Sequence, residues 1–172
     1  MATIRTLFDE AQIETRVGEL ARDIAAVLPR DVMIVGLLTG SFVFVADLVR
    51  ALARHGVSPR VAFMRLSSYG SARESSRDVK LIGDVPGVAG RTVLLVDDIV
   101  DTGRTQAFAR DLLLGQGAVQ IVSCMLLDKP SRREVAVATD FVGFPIEDLF
   151  VVGYGIDYAE QYRHLPYIGT VD

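Results

Sequence analysis

The chain contains a single cysteine, Cys124, and only two histidines, His55 and His164, in 172 residues. A lone cysteine excludes an intrachain disulfide and fits a reducing compartment, so Cys124 reads as a small buried hydrophobe. No Cys/His spacing supports a zinc site, and both histidines are expected at the periphery. Basic residues are outnumbered, 18 Lys and Arg against 22 Asp and Glu, for a net charge of -4. That balance disfavours a broad attraction to nucleic acid or to an anionic membrane. The longest apolar runs, residues 93–96 and 121–127, fall far short of the roughly 20 residues of a membrane-spanning helix and suit buried strands. The N-terminal stretch MATIRTLFDEAQIETRV lacks the basic-then-apolar order of a secretory signal, which makes the cytoplasm the expected location. Internal repeats, low-complexity tracts and domain linkers are absent too. With 50% hydrophobic residues, the chain is expected to form one domain, 1–172, with a sizeable core.

The apolar residues that are present carry a clear order. Ile13, Val17, Leu20, Ile24 and Leu28 recur at helical steps after Asp9, a plausible N-cap, so residues 10–28 are expected to form an amphipathic helix that Pro29 ends. Residues 32–38, VMIVGLL, read as a buried strand, and TGS leads from it into a helix ending near His55 and Gly56. Strands are expected at 61–66, 79–82, 92–96 and 119–127, with a helix over 105–114 that Gly115 and Gly117 stop. Continuous apolar strands interleaved with helices indicate an α/β fold, a mostly parallel sheet flanked by helices on both faces. Sites in such sheets lie beyond the strand C-termini. Residues 67–78, SSYGSARESSRD, read as a long polar loop, either a mobile lid or disorder.

The densest chemistry stands in VDDIVDTGRT, residues 96–105. Asp97 and Asp98 are expected at a strand end, and Thr102 to Thr105 at a helix start. Unpaired N–H groups and the helix dipole favour an anion there, and Gly103 would let a phosphate approach. Two threonine hydroxyls add donors. The carboxylates upstream repel a phosphate, so they must bind sugar hydroxyls, hold a divalent cation or accept a proton. Asp101 or Thr102 could also serve only as an N-cap. The segment lacks the spacing of a P-loop and of a dinucleotide-binding turn. Phosphate, ribose hydroxyls and metal in one turn suggest a phosphorylated ribose.

The stretch VLLVDDIVDTGRT resembles the phosphoribosyl pyrophosphate motif of the type I phosphoribosyltransferases, most of all the hypoxanthine-guanine branch, with Asp101 as the discriminating residue. Four further blocks resemble the same branch in the same order: GLLTGSFVFVADL, SSYGS, LLDKPSRR and DFVGFPIEDLFVVGYGIDYAEQYRHLPYIG. They are similar to its pyrophosphate loop, catalytic lid, base-recognition segment and purine-binding hood. The resemblance runs from about residue 10 to the end. It implies a core over about 30–140 and a hood from about 1–28 and 140–172.

The activity implied is transfer of the 5-phosphoribosyl group from phosphoribosyl pyrophosphate to a 6-oxopurine, hypoxanthine or guanine or both, with release of pyrophosphate. By the resemblance, Asp97 and Asp98 address the ribose hydroxyls directly or through Mg²⁺, while Thr102, Gly103, Arg104 and Thr105 hold the 5-phosphate. Leu38, Thr39 and Gly40 would bind pyrophosphate with Arg163, and Asp157, grouped with the purine site, would help bind a second Mg²⁺ with pyrophosphate. Asp101 would take the proton from purine N7 as general base. Lys129 would donate to O6 and so reject adenine. Phe150 would stack on the purine, and carbonyls near Val151 would read its other edge. Ser68 and Tyr69 would begin a lid that excludes water.

Thr39 departs from the Lys or Arg that many relatives carry in the pyrophosphate loop. The family binds there largely through backbone N–H groups, often beside a non-proline cis peptide, for which Leu38–Thr39 is the candidate. The SRR group at 131–133 reads as solvated surface or a subunit contact. Family members are usually dimers or tetramers, so a homodimer or homotetramer is expected, with no nucleic acid or membrane partner. Two other readings stand beside the salvage enzyme. One is a regulator that keeps the fold but binds RNA or protein, disfavoured by Asp101 and the acidic charge; the other is an enzyme preferring xanthine.

Overall fold

The structure is a computed structural model that describes residues 2–69 and 78–172. After strand β1 (Ile4–Phe8), helix α1 (Glu10–Val27) begins where a capping box forms. The Asp9 carboxylate accepts from Gln12 N–H at 2.8 Å, and the Gln12 side chain accepts from Asp9 N–H at 2.8 Å. Two donors that a helix start would leave unpaired are thereby satisfied. Ile13, Val17, Leu20, Ala21 and Ile24 form its buried face, as the periodicity predicts.

Strand β2 (Met33–Leu38), helix α2 (Phe42–Ala53) and strands β3 (Arg60–Tyr69) and β4 (Asp78–Ile82) follow. Next come β5 (Thr92–Val100), α3 (Arg104–Gly115), β6 (Gln120–Asp128), a 3-10 turn (Pro130–Arg132) and β7 (Phe141–Pro145). The six strands form one sheet in the order β4-β3-β2-β5-β6-β7, parallel throughout except for β4. On one face α1 and α2 pack over Ile34, Leu94, Val96 and Leu126, and on the other α3 packs through Ala109 and Leu113 over Met33, Val35, Val93 and Leu95. Alternate residues of β2 and β5 thus enter opposite cores, so β2 and residues 93–96 of β5 are apolar without a break. This is the expected mostly parallel α/β sheet.

A second sheet, β1-β9-β8, joins the ends of the chain, with β8 at Val151–Val152 and β9 at Ile168–Val171. Arg16 of α1 donates to the Val142 and Gly143 carbonyls at 2.8 Å each and so ties that helix to β7.

The structure corrects three expectations. First, β5 does not stop at Val96. It continues through both aspartates to Val100 because Asp97, Ile99 and Val100 stay in register with Met125, Leu127 and Asp128 of β6. Second, residues 67–69 and 78 are not loop. Ser67, Ser68 and Tyr69 pair with Lys80, Val79 and Asp78 as an antiparallel hairpin. The remainder of the expected lid, residues 70–77, lies outside the described residues. Third, β1, β7, β8 and β9 are additional strands that periodicity did not reveal.

Candidate active site

The C-terminal ends of β2, β5 and β6 bring the acidic turn, the TGS loop and Lys129 to one edge of the sheet. A cleft of about 250 Å³ opens there, lined by Leu38, Gly40, Asp97, Asp98, Asp101, Thr102, Thr105 and Gln106. The sheet holds the two aspartates side by side in a largely dry place. Asp97 is 7% exposed. Its carboxylate accepts from Asp98 N–H at 2.9 Å and from Gln106 Nε2 at 2.7 Å, and Asp98 accepts from Ile99 N–H at 2.7 Å. Burial, then the charge of Asp98, holds the Asp97 carboxyl well above the usual carboxylate range. Burial also raises Asp98, while its hydrogen bonds and the charge of Arg163 pull the other way. Two buried carboxylates with too little positive charge around them make a site suited to a cation or to donor hydroxyls.

Gly40 faces this pair. A Cβ there would collide with the Asp98 carboxylate, so the backbone of the TGS loop lies directly against the acid. The Leu38–Thr39 peptide is cis. Ser41 Oγ donates to the Leu37 carbonyl at 2.5 Å and ties the loop back to β2.

Helix α3 begins at Gly103, which has φ 89°. The glycine is required for packing: a Cβ would come to 2.5 Å from the Val135 carbonyl oxygen. This differs from the expectation that Gly103 makes room for a phosphate. Thr102 Oγ accepts from Arg104 N–H at 3.3 Å. The Arg104 guanidinium turns away to Glu134 at 2.9 Å, so Arg104 offers the helix start its backbone rather than its charge.

Residues 129–135 wrap this turn. Lys129, 8% exposed, donates its N–H to the Val100 carbonyl at 3.0 Å, and Glu134 and Val135 both donate to the Thr102 carbonyl. The SRR group is therefore not merely solvated surface. Arg132 Nε reaches Asp101 Oδ1 at 3.0 Å, and Arg132 Nη1 lies 3.6 Å from Asp148 Oδ2. Arg133 bridges the Asp128 carboxylate and the Asp101 carbonyl. Hydrogen bonding to Asp101, then its charge, raises the pKa of Arg132. Lys129 Nζ lies 3.9 Å from Asp148 Oδ1.

The C-terminal residues divide. Arg163 donates to the Gly155 carbonyl at 2.7 Å and stands 3.3 Å from Asp157, whose other oxygen accepts from Glu160 N–H at 2.9 Å. Asp157 is thus spent on Arg163 and its own turn rather than joining Asp97 and Asp98. Among the described residues no three acidic, His or Cys side chains converge on one point. Asp97 and Asp98 are brought together in the cleft, and Asp157, expected at a second Mg²⁺ with pyrophosphate, is paired with Arg163. Phe150 is exposed and meets Tyr158 edge-on at 5.3 Å between ring centres; Val151 is buried in β8. The sequence reading missed Gln106, Arg132, Arg133 and Asp148. Gln106 stands in the first turn of α3, directly after the acidic turn; the others meet their partners only through the fold.

A larger cavity of about 700 Å³ lies between α1, α2 and residues 154–166. It contains neither the acidic turn nor the α3 start, so the smaller cleft is the site.

The phosphoribosyl transferase domain matches residues 4–159. The chain belongs to that family. This phosphoribosyltransferase is 49% identical over 173 residues to the hypoxanthine phosphoribosyltransferase of Escherichia coli strain K12, covering 98% of this chain and 96% of the other. It is 42% identical over 172 residues to the hypoxanthine-guanine phosphoribosyltransferase of Aquifex aeolicus, covering 98% and 95%. Among solved structures, a hypoxanthine-guanine phosphoribosyltransferase from Bacillus anthracis superposes with TM-score 0.91 at 40% identity, over 99% of this chain and 100% of that one.

Proposed function

We propose that this phosphoribosyltransferase acts in purine salvage, moving the 5-phosphoribosyl group of phosphoribosyl pyrophosphate to hypoxanthine, guanine or both, to give IMP, GMP or both plus pyrophosphate. The observation that carries this reading is the single cleft in which the Asp97–Asp98 pair, the start of α3 and the Gly40 backbone meet, with Lys129 at the neighbouring strand end. Each supplies what one part of the substrate needs.

The first-turn N–H groups of α3 with the Thr102 and Thr105 hydroxyls would hold the 5-phosphate. The loop from Leu38 to Gly40 would receive pyrophosphate through its backbone, and Arg163 would add a guanidinium once its pairing with Asp157 loosens. Both oxygens of Asp97 already accept from protein donors. The ribose hydroxyls therefore fall first to Asp98, with Asp97 behind it. Asp101 would accept the N7 proton as base, Lys129 would donate to O6, Phe150 would stack on the ring and the Val151 carbonyl would read its far edge. Ser68 and Tyr69, at the end of β3, would lead into a lid.

Mg²⁺ fits the donors present. Burial raises the pKa values of the adjacent Asp97 and Asp98 carboxylates, which a nearby cation would offset, and Mg²⁺ characteristically takes one or two carboxylates while substrate oxygens and water complete its shell. Asp98 and Asp97 would hold it, and Asp157 would serve a second Mg²⁺ at the pyrophosphate end once its pairing with Arg163 loosens. When bound, the ion would neutralise the departing pyrophosphate. The chain would work as one domain, with the β1-β9-β8 sheet and residues 140–172 as the hood. A cytoplasmic homodimer or homotetramer is the expected form; among the described residues no helix is long and apolar enough to cross a membrane.

The test is kcat/KM with phosphoribosyl pyrophosphate and Mg²⁺ against hypoxanthine, guanine, xanthine and adenine, followed by ultraviolet difference spectra. Mg²⁺-dependent turnover of hypoxanthine or guanine supports the reading and ranks the two. No turnover with any base, while the sugar phosphate still binds, would overturn it.

A further inference from the structure

Four charged side chains at the purine end stand in an alternating row. Asp101 meets Arg132 at 3.0 Å, Arg132 meets Asp148 at 3.6 Å, and Asp148 meets Lys129 at 3.9 Å. The row begins and ends on the two groups assigned to the purine, the base Asp101 and the O6 donor Lys129. Its middle members have no role in the reaction as described so far.

The geometry of Arg132 is specific. Nε faces Asp101 and Nη1 faces Asp148, so one planar guanidinium spans two carboxylates in fixed directions, which a flexible ammonium cannot reproduce. Its side chain is 49% exposed, and the Asp101 and Asp148 side chains are 38% and 54% exposed. Ion pairs so wet contribute little to stability. The turn is already held independently by Arg133 on the Asp101 carbonyl and by two N–H groups on the Thr102 carbonyl. Among the described residues, what Arg132 alone does is fix where the Asp101 carboxylate points.

Asp148 has a different place. It touches Arg132 through Oδ2 and faces Lys129 through Oδ1. One carboxylate therefore restrains both the arginine that aims the base and the lysine that would meet O6. A general base must lie within hydrogen-bond reach of its proton, and a displacement of about 1 Å costs about 100-fold in rate.

We propose that Arg132 and Asp148 are positioning residues of the transfer reaction: Arg132 aims the Asp101 carboxylate at purine N7, and Asp148 anchors Arg132 and Lys129 together so that proton removal and O6 recognition share one support. This rests on the assignment of Asp101 and Lys129 made above.

The experiment is steady-state kinetics on Arg132→Gln, Asp148→Asn, Asp101→Asn and the double variant Arg132→Gln/Asp101→Asn, with a thermal melt of each. Arg132→Gln is expected to melt with the parent, keep KM for phosphoribosyl pyrophosphate within about twofold and lose about 10- to 100-fold in kcat. Asp148→Asn is expected to lower kcat and also raise the purine KM, since it frees Lys129 as well. In the Asp101→Asn background the Arg132 substitution is expected to change kcat less than about twofold, because it acts through a carboxylate already removed. Parent-like kcat for Arg132→Gln, or an equal loss with and without Asp101, overturns the proposal. A parent-like kcat for Asp101→Asn would instead overturn the base assignment beneath it, so the two failures are distinct.

Discussion

Gly40 offers the sharpest test of how the cleft is built. Its backbone is not among those at positive φ, so alanine suits the local conformation and the substitution adds only a methyl group. That methyl would occupy the space of the Asp98 carboxylate. The carboxylate has little freedom to retreat, because its other oxygen accepts from Ile99 N–H at 2.7 Å and Asp97 stands beside it. The loop is no freer: Ser41 pins it to the Leu37 carbonyl, and the Gly40 carbonyl lies where a Cβ on Gly155 would be 2.7 Å away. One side must yield, and a shift of about 1 Å between groups that hold one substrate costs about 100-fold in rate. Gly40→Ala is therefore expected to lower kcat/KM for phosphoribosyl pyrophosphate about 100-fold, to disturb the purine KM less, and to leave a cooperative melt. The assay follows IMP or GMP formation by ultraviolet absorbance at varied sugar phosphate, with circular dichroism melting as the fold control. A kcat/KM within about threefold of the parent would refute the claim that the loop backbone and the Asp98 carboxylate share one tight site.

Gly18 is the matching control: inside α1, an added Cβ meets nothing within 4 Å. Gly18→Ala is expected to stabilise by about 1 kcal/mol and raise Tm by about 2–4 °C with unchanged kcat, so an unchanged or lower Tm would count against the helix reading. Asp98→Asn should raise Tm at pH 7.5 without Mg²⁺ while abolishing most activity. The folded pKa of Asp98 lies above its unfolded value. Its ionised form thus opposes folding above that window and not below the unfolded value, so the gain should shrink as pH falls towards 4. A lower Tm at pH 7.5 would contradict this. Lys129→Ala should raise the purine KM and relax the discrimination against adenine while sparing KM for phosphoribosyl pyrophosphate; an unchanged base specificity removes its assignment. Burial pushes the Cys124 thiol up to about 12, so it should stay unreactive to a thiol reagent at pH 8 until denaturant is added.

The sheet was legible because its central strands are buried on both faces, which forces VMIVGLL and VLLV to be apolar at every position. The β3–β4 hairpin was not, because Ser67, Ser68 and Tyr69 look like loop residues until Lys80, Val79 and Asp78 are seen opposite them. Strand β1 escaped for a related reason. Its residues are only partly buried, and its partners lie more than 150 positions away in β9. Local pattern cannot report a pairing that only the closed chain creates.

The site divides along the same line. Asp97, Asp98, Asp101, Thr102 and Thr105 fall within nine positions, and a helix start must expose its N–H groups, so the proposed phosphate end could be read from one stretch. The proposed purine end is an assembly of distant segments: Arg132 meets Asp101 across 31 positions and Asp148 approaches from beyond β7. Residue type alone argued the other way there, since two consecutive arginines in a polar stretch are most often solvated. The fold turns them to the acidic turn because residues 134 and 135 donate to the Thr102 carbonyl while Val135, Arg133 and Val137 fill the space at Gly103, which leaves 132 and 133 beside Asp101. The glycine that suggested a phosphate site by its openness is thus what lets residues 129–135 close onto the α3 start, and the proposed phosphate and base ends are coupled through two hydrogen bonds to the Thr102 carbonyl.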